Sequence, residues 1–193
     1  MTYNNSRCEW CSGEKIYEKY HDKEWGVPLH SDHKLFEFLI LEGAQAGLSW
    51  ITVLKKRKNY QEAFDQFDFN KVATYKEAKI QSLLKNPGII RNKLKVHAAV
   101  KNANAFIKVR QEFGTFNKYI WQFTEGKTIQ NKWKSLKDIP AETDVSRTMS
   151  KDLKKRGFSF VGPTICYAFM QATGMVNDHV IDCYRYIELK NND

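Results

Sequence analysis

No stretch of this chain approaches the ~18 consecutive apolar residues needed to cross a membrane. The opening Met-Thr-Tyr-Asn-Asn-Ser-Arg lacks the apolar centre of an export leader. Strand-like alternation of polar and apolar residues is nearly absent, and there is no internal repeat, low-complexity stretch or long linker. Acidic residues are the minority charge, 22 against 31 Lys and Arg. Only four cysteines occur in 193 residues. In a chain of this length without an export signal they read as reduced thiols or metal ligands, not as a disulfide framework. The expected compartment is the cytosol.

What is present is a chain long enough for one domain, 1–193, with a sizeable core, or for two tightly joined lobes. The apolar share of 42% is ordinary, and five Trp, nine Tyr and twelve Phe are plentiful. Helical periodicity predicts helices over 14–22, 32–46, 49–57, 60–66, 70–74, 76–85, 90–113, 115–124, 146–156, 161–173 and 178–187. Residues 125–145 read as an irregular connection with few apolar anchors. The fold class is all-α. The net charge of +9 points to a polyanion partner. The charge gathers at Lys55–Lys56–Arg57–Lys58, at Arg91, Lys93 and Lys95 after Pro87-Gly88, and at Lys154–Lys155–Arg156, although each cluster is equally compatible with a solvated helix face.

Cys8 and His21 near the start, with His179 and Cys183 near the end, form a Cys2His2 set that one tetrahedral zinc would close. On the expected last helix, His179 and Cys183 project from one face. Four protein ligands leave no position for water, so the site would join the N- and C-terminal segments rather than do chemistry. Cys11 is a rival ligand, because Cys8 and Cys11 make a C-x-x-C, and four unrelated side chains are the plainer alternative.

Glu42 falls on the apolar stripe of helix 32–46 with Leu35, Phe38, Leu39 and Ala46, opposite His33, Lys34 and Glu37. A buried carboxylate without a partner is costly, so Glu42 either caps the next helix near Ser49 or awaits a ligand. Gln45–Trp50 forms a tight interhelical turn in which Gly47 permits the bend, Ser49 is a suitable N-cap and Leu48 stands at the tip, unless it is a core leucine. Trp50 is either core or a ligand platform. Tyr17 and Tyr20 share a helix face flanked by Trp10 and Trp25, the surroundings a flat cationic base would need. A second turn, Lys154-Lys155-Arg156-Gly157 through Gly162-Pro163, would leave amides at a helix N-terminus beside a basic cluster. That arrangement suits a DNA phosphate, with a plain αα-corner as the alternative.

Taken together, Arg7-Cys8-x-Trp10, Tyr20-His21-Asp22-x-Glu24-Trp25-Gly26-Val27-Pro28, Leu41-Glu42-Gly43-x-Gln45 through Leu54, Gly88-Ile89-Ile90-Arg91, Lys154-Lys155-Arg156-Gly157-Phe158-x-Phe160-Val161-Gly162 and Val176-Asn177-Asp178-His179-Val180 resemble the 3-methyladenine DNA glycosylase I family. That family lies within the helix–hairpin–helix glycosylases, and the resemblance runs over about residues 7–186. It implies a helical bundle with structural zinc on Cys8, His21, His179 and Cys183, which leaves Cys11 out. It also implies an acidic base-recognition role for Glu42 and an aromatic pocket of Tyr17, Tyr20, Trp50 and Trp10. The turn at Gly47 and Leu48 would wedge into the duplex, and Lys154, Lys155, Arg156, Gly157 and Gly162 would contact DNA. Asp178 stands where related enzymes carry a catalytic Asp, but the match is loose, and it reads equally as a partner that orients His179.

The implied activity is hydrolysis of the N-glycosidic bond of N3-methyladenine in alkylated double-stranded DNA, releasing 3-methyladenine and leaving an abasic site without a lyase step. The expected form is a cytoplasmic monomer. Two rivals are a non-catalytic DNA-binding protein and a zinc-stabilised protein-interaction module. Glu42 argues against the first and the basic hairpin against the second.

Overall fold

A computed structural model describes residues 6–190, and these are overwhelmingly helical. Helix α1 (Lys15–Lys23) leads to α2 (Asp32–Gln45), in which every residue from Leu35 to Ala44 is buried. A helix apolar on all sides belongs in the centre of a bundle, and α2 packs against α3 (Trp50–Ala63), α6 (Lys93–Phe113), α7 (Phe116–Trp121) and α9 (Pro163–Ala172). Short helices α4 (Phe69–Ala73) and α5 (Glu77–Lys85) lie against α6. Asp32, at the head of α2, accepts from the Phe116 and Asn117 amides and from Arg110, which joins the start of α2 to the start of α7 and the end of α6. Among the described residues, no helix is long and apolar enough to cross a membrane.

Several expectations change in detail. The two helices expected over 49–57 and 60–66 are one, α3, because the basic run lies mid-helix: Arg57 turns inward while Lys55 and Lys58 stay on the outer side. Glu37, expected on the solvated face of α2, is buried and meets Arg57 Nε at 2.8 Å, Lys34 Nζ at 2.7 Å and Gln61 Nε2 at 3.0 Å. Burial pushes its carboxyl pKa up, but the two cations outweigh burial and the net shift is downward. The helix expected over 115–124 closes on a 3₁₀ turn at Gln122–Thr124.

The connection after α7 is irregular as expected, except for a 3₁₀ turn at Leu136–Asp138 and a two-residue strand, β1 (Ile129–Gln130), paired in parallel with β2 (Val176–Asn177). Between them run α8 (Asp144–Lys155), which opens on a capping box from Thr143 and Ser146, and α9. The pairing of β2 also corrects the last expected helix. Residues 178–183 form a bend, with Ile181 N donating to Trp133 O and Cys183 N to Val180 O, and α10 (Tyr184–Lys190) begins only afterwards.

Candidate functional site

His179 and Cys183 therefore meet across a turn, not along a helix. The turn brings them against Cys8, which precedes a 3₁₀ turn at Glu9–Cys11, and against His21 on α1. The four ligand atoms lie within 4.8 Å of one another and all four residues are buried. Cys183 Sγ is 3.4 Å from His21 Nε2 and 3.5 Å from His179 Nδ1, and Cys8 Sγ is 3.6 Å from His179 Nδ1. The other ring nitrogens are already occupied: His21 Nδ1 is 2.8 Å from Asp22 Oδ1, and His179 Nε2 is 3.1 Å from Trp25 O. Each imidazole is thus oriented from behind so that its other nitrogen faces the thiols, with the Cys8 N–H also 3.4 Å from His21 Nε2, the arrangement metal-binding histidines need. The cluster is close enough to hold a metal ion, and two thiols with two imidazoles form a soft, borderline donor set.

Hydrogen bonding from Cys8, opposed by burial and assisted by the two imidazoles, makes Cys183 the acidic thiol, while the same bond and burial push Cys8 up. Cys11 turns away and donates its thiol to Cys8 O at 3.0 Å.

Beside this cluster opens a cavity of about 340 Å³. Trp10, Tyr17, Tyr20, Trp25 and Trp50 supply aromatic walls, with Tyr20 and Trp50 ring centroids 5.3 Å apart and Trp10 4.8 Å from Tyr17. Glu42 projects into it from α2. Its Oε2 has no hydrogen-bond partner, and burial pushes its pKa up to about 8. The capping alternative does not hold, since no side-chain bond caps α3 and the Ser49 hydroxyl pairs with that of Thr52. The indole nitrogens of Trp10 and Trp50 are likewise buried and unpartnered. A buried unsatisfied polar group costs about 1–3 kcal/mol, and all three belong to residues that line this one cavity, which suits it to a polar guest.

Two walls were not anticipated. Leu136, Ile139, Pro140 and Ala141 come from the irregular connection, and Thr164, Tyr167, Ala168 and Gln171 from α9. The α9 residues were findable in principle, because Thr164, Ala168 and Gln171 recur at i, i+4, i+7 as a small, polar stripe on an otherwise apolar helix. The loop carries no such signal.

At the cavity mouth, Leu48 is 43% exposed on a turn where Gly47 adopts φ +77°. That exposure excludes the core-leucine alternative. Lys95 Nζ donates to Ala44 O at 2.7 Å and Ala46 O at 2.6 Å, fixing the end of α2 just before the turn. A depression of about 380 Å³ between this turn and α9 shares Glu42, Gln45, Thr164 and Ala168 with the main cavity.

The basic turn between α8 and α9 has Gly157 at φ +94° and open space around Gly162, and Lys154 and Lys155 are exposed. Arg156 departs from the expectation that it faces DNA. Its guanidinium bonds Asp152 at 2.7 Å and Glu112 at 2.7 Å and lies 4.9 Å over both Phe113 and Tyr119, a structural role. Asp178 does not orient His179. Its carboxylate accepts from Asn131, Trp133, Tyr167 and Gln171.

Fold and site define a helical protein with an aromatic, acid-bearing ligand cavity next to a thiol–imidazole cluster. The chain belongs to the methyladenine glycosylase family, whose model matches residues 10–186. It is 50% identical over 178 residues to the DNA-3-methyladenine glycosylase of Haemophilus influenzae, covering 92% of this chain and 96% of that protein. A crystal structure of 3-methyladenine DNA glycosylase I superposes with a TM-score of 0.91 at 49% identity, covering 93% of this chain and 98% of the other. A variant of a 3-methyladenine DNA glycosylase I in complex with 3-methyladenine superposes at 0.90 with 36% identity, covering 92% and 96%.

Proposed function

We propose that this protein is a DNA repair glycosylase that hydrolyses the N-glycosidic bond of N3-methyladenine in alkylated duplex DNA. The observation that carries the reading for this chain is the unpartnered Glu42 carboxyl among aromatic rings. The lesion must leave the stack to be reached, and a damaged base costs less to unstack. Leu48 fills the gap it leaves, as apolar wedges do in other duplex-distorting proteins. Tyr20 and Trp50 stack on the base, with Tyr17 and Trp10 completing the pocket, and Glu42 accepts from its amino edge.

N3-methylation makes the base cationic, so it departs with the electron pair of the C1′–N9 bond as neutral 3-methyladenine. Water oxygen bonds to C1′ and its proton passes to solvent. Little acid catalysis is needed, which agrees with Asp178 being saturated by four donors. No lysine lines the cavity among the described residues, in keeping with a monofunctional enzyme that leaves an abasic site.

Lys154, Lys155 and the amides around Gly157 and Gly162 bind phosphate in the manner of a helix–hairpin–helix, as Gly47 shapes the wedge turn. Zinc is the ion for Cys8, His21, His179 and Cys183; when bound it contributes folding energy and no open coordination position. The chain works as one domain, as a monomer, in the cytoplasm. A non-catalytic DNA binder has no use for the orphan carboxyl. The test is release of labelled base from methylated duplex DNA: free 3-methyladenine with no strand cleavage is expected, and binding without release overturns the reading.

A further inference from the structure

Asp178 is fully buried between two pairs of donors. Its Oδ1 accepts from Asn131 Nδ2 at 2.7 Å and the Trp133 indole at 2.8 Å, and its Oδ2 from the Tyr167 hydroxyl at 2.6 Å and Gln171 Nε2 at 2.8 Å. A carboxylate only accepts, so each neighbour must present hydrogen to it. For Gln171 this decides which end of the amide turns away. With nitrogen held on Asp178, the carbonyl oxygen faces the other side, and no donor among the described residues meets it. Gln171 is half-buried in the cavity wall, on the α9 stripe with Thr164 and Ala168.

We propose that Gln171 is a specificity-determining residue: its carbonyl oxygen, turned into the cavity by Asp178, accepts a hydrogen bond from an amino edge of the bound base and rejects a base with a carbonyl there. Asp178 is the positioning residue behind it. The inference rests on the glycosylase reading and deepens it. An adenine-type exocyclic amino group carries two N–H bonds, and Glu42 with Gln171 supplies an acceptor for each. An N3-methylated purine with oxygen at the same position meets the lone pairs of the Gln171 carbonyl instead. A site built to hydrogen-bond one polar edge discriminates more strongly than an apolar pocket, because a mismatch leaves buried groups unpaired.

The test is Asp178→Asn. The Trp133 indole has only hydrogen to offer, so the oxygen of the substituted side chain stays on the Trp133 and Asn131 side. Its new NH₂ then faces Tyr167 and Gln171, whose hydroxyl can rotate and whose amide can flip. Gln171 would present NH₂ to the cavity, and the preference for 3-methyladenine over 3-methylguanine should fall by about tenfold or more, equivalent to about 1.4 kcal/mol. The readout is the ratio of affinities for the two free bases by tryptophan fluorescence, with excision of both from methylated duplex DNA. A merely structural role would weaken both bases alike and leave the ratio unchanged.

Because Asp178 adjoins His179, Gln171→Met serves as a second variant. It should lose affinity for 3-methyladenine without gaining any for 3-methylguanine. The inference is overturned if the parent releases 3-methyladenine and both variants keep its base ratio. A parent that releases no base at all overturns the glycosylase reading, and this inference with it.

Discussion

Replacing Glu42 by Gln should make the protein more stable and less active at once. The carboxyl is 3% exposed, its Oε2 has no partner, and burial raises its pKa from the usual 4.5 to about 8. The folded state therefore holds the Glu42 proton over a range in which the unfolded chain has already released it. Between pH 4.5 and 8 the folded form binds more protons, so stability falls as pH rises through that window. At pH 7 the chain has passed about 2.5 pH units of it, and at about 1.4 kcal/mol each the deficit is on the order of 3 kcal/mol.

Gln cannot ionise, so Glu42→Gln removes this slope. Its buried amide retains a desolvation cost of about 1–3 kcal/mol, so the net gain at pH 7 lies between nothing and about 2 kcal/mol. A gain of about 2 kcal/mol in a chain of this size raises the melting temperature by roughly 4–8 °C. The assay is denaturant unfolding of parent and variant at half-unit steps from about pH 5 to pH 8.5, spanning the window between the two pKa values, with excision measured on the same samples. The two stability curves should diverge as pH rises, with parent below variant, while the variant excises 3-methyladenine more slowly and still binds duplex. Parallel curves across the window would refute the burial argument. Unchanged excision would refute the recognition role.

Leu48→Ala should barely change stability, within about 0.5 kcal/mol for an exposed side chain. It should cut duplex excision by about 3- to 10-fold, since the exposed 43% of a leucine represents about 1 kcal/mol of burial on insertion; a large loss of melting temperature with unchanged activity per folded molecule would rule out the wedge. If the four-residue cluster holds zinc as proposed, metal analysis should find one zinc per parent chain and none in Cys183→Ala, whose melting temperature should fall far more than its base preference changes. Lys154→Ala with Lys155→Ala should weaken binding to any duplex and flatten its salt dependence by nearly two ions. Arg156→Ala, by contrast, should leave the salt slope in place and reduce stability, because its guanidinium serves Asp152, Glu112 and two rings.

Much of the helical layout was legible because helices are written in i, i+3 and i+4 spacing, a property of neighbours. The bounds of α1, α2, α5 and α6 fall within three residues of expectation for that reason. The Leu48 tip was legible from Gly47, a local backbone requirement. The identity of the four cluster residues was legible from residue type and family resemblance, as was the oddity of Glu42, since a carboxyl on an apolar stripe is already a violation in one dimension.

What the chain alone did not decide are the pairings across long separations. The bend that places His179 by Cys183 comes from β2 pairing with β1 and from Ile181 reaching Trp133. Glu37 is buried because Arg57, on the next helix, neutralises it, and Arg156 turns from solvent because Glu112 and Asp152 hold it. Residues 136–141 form a pocket wall only because the bundle folds them over it. Asp178 shows the difference most plainly: its position was conspicuous in the sequence, but whether it does chemistry, supports His179 or sets the Gln171 amide depends on which four donors converge on it. That convergence is a property of the packed fold, because hydrogen bonds are satisfied in space and not along the chain.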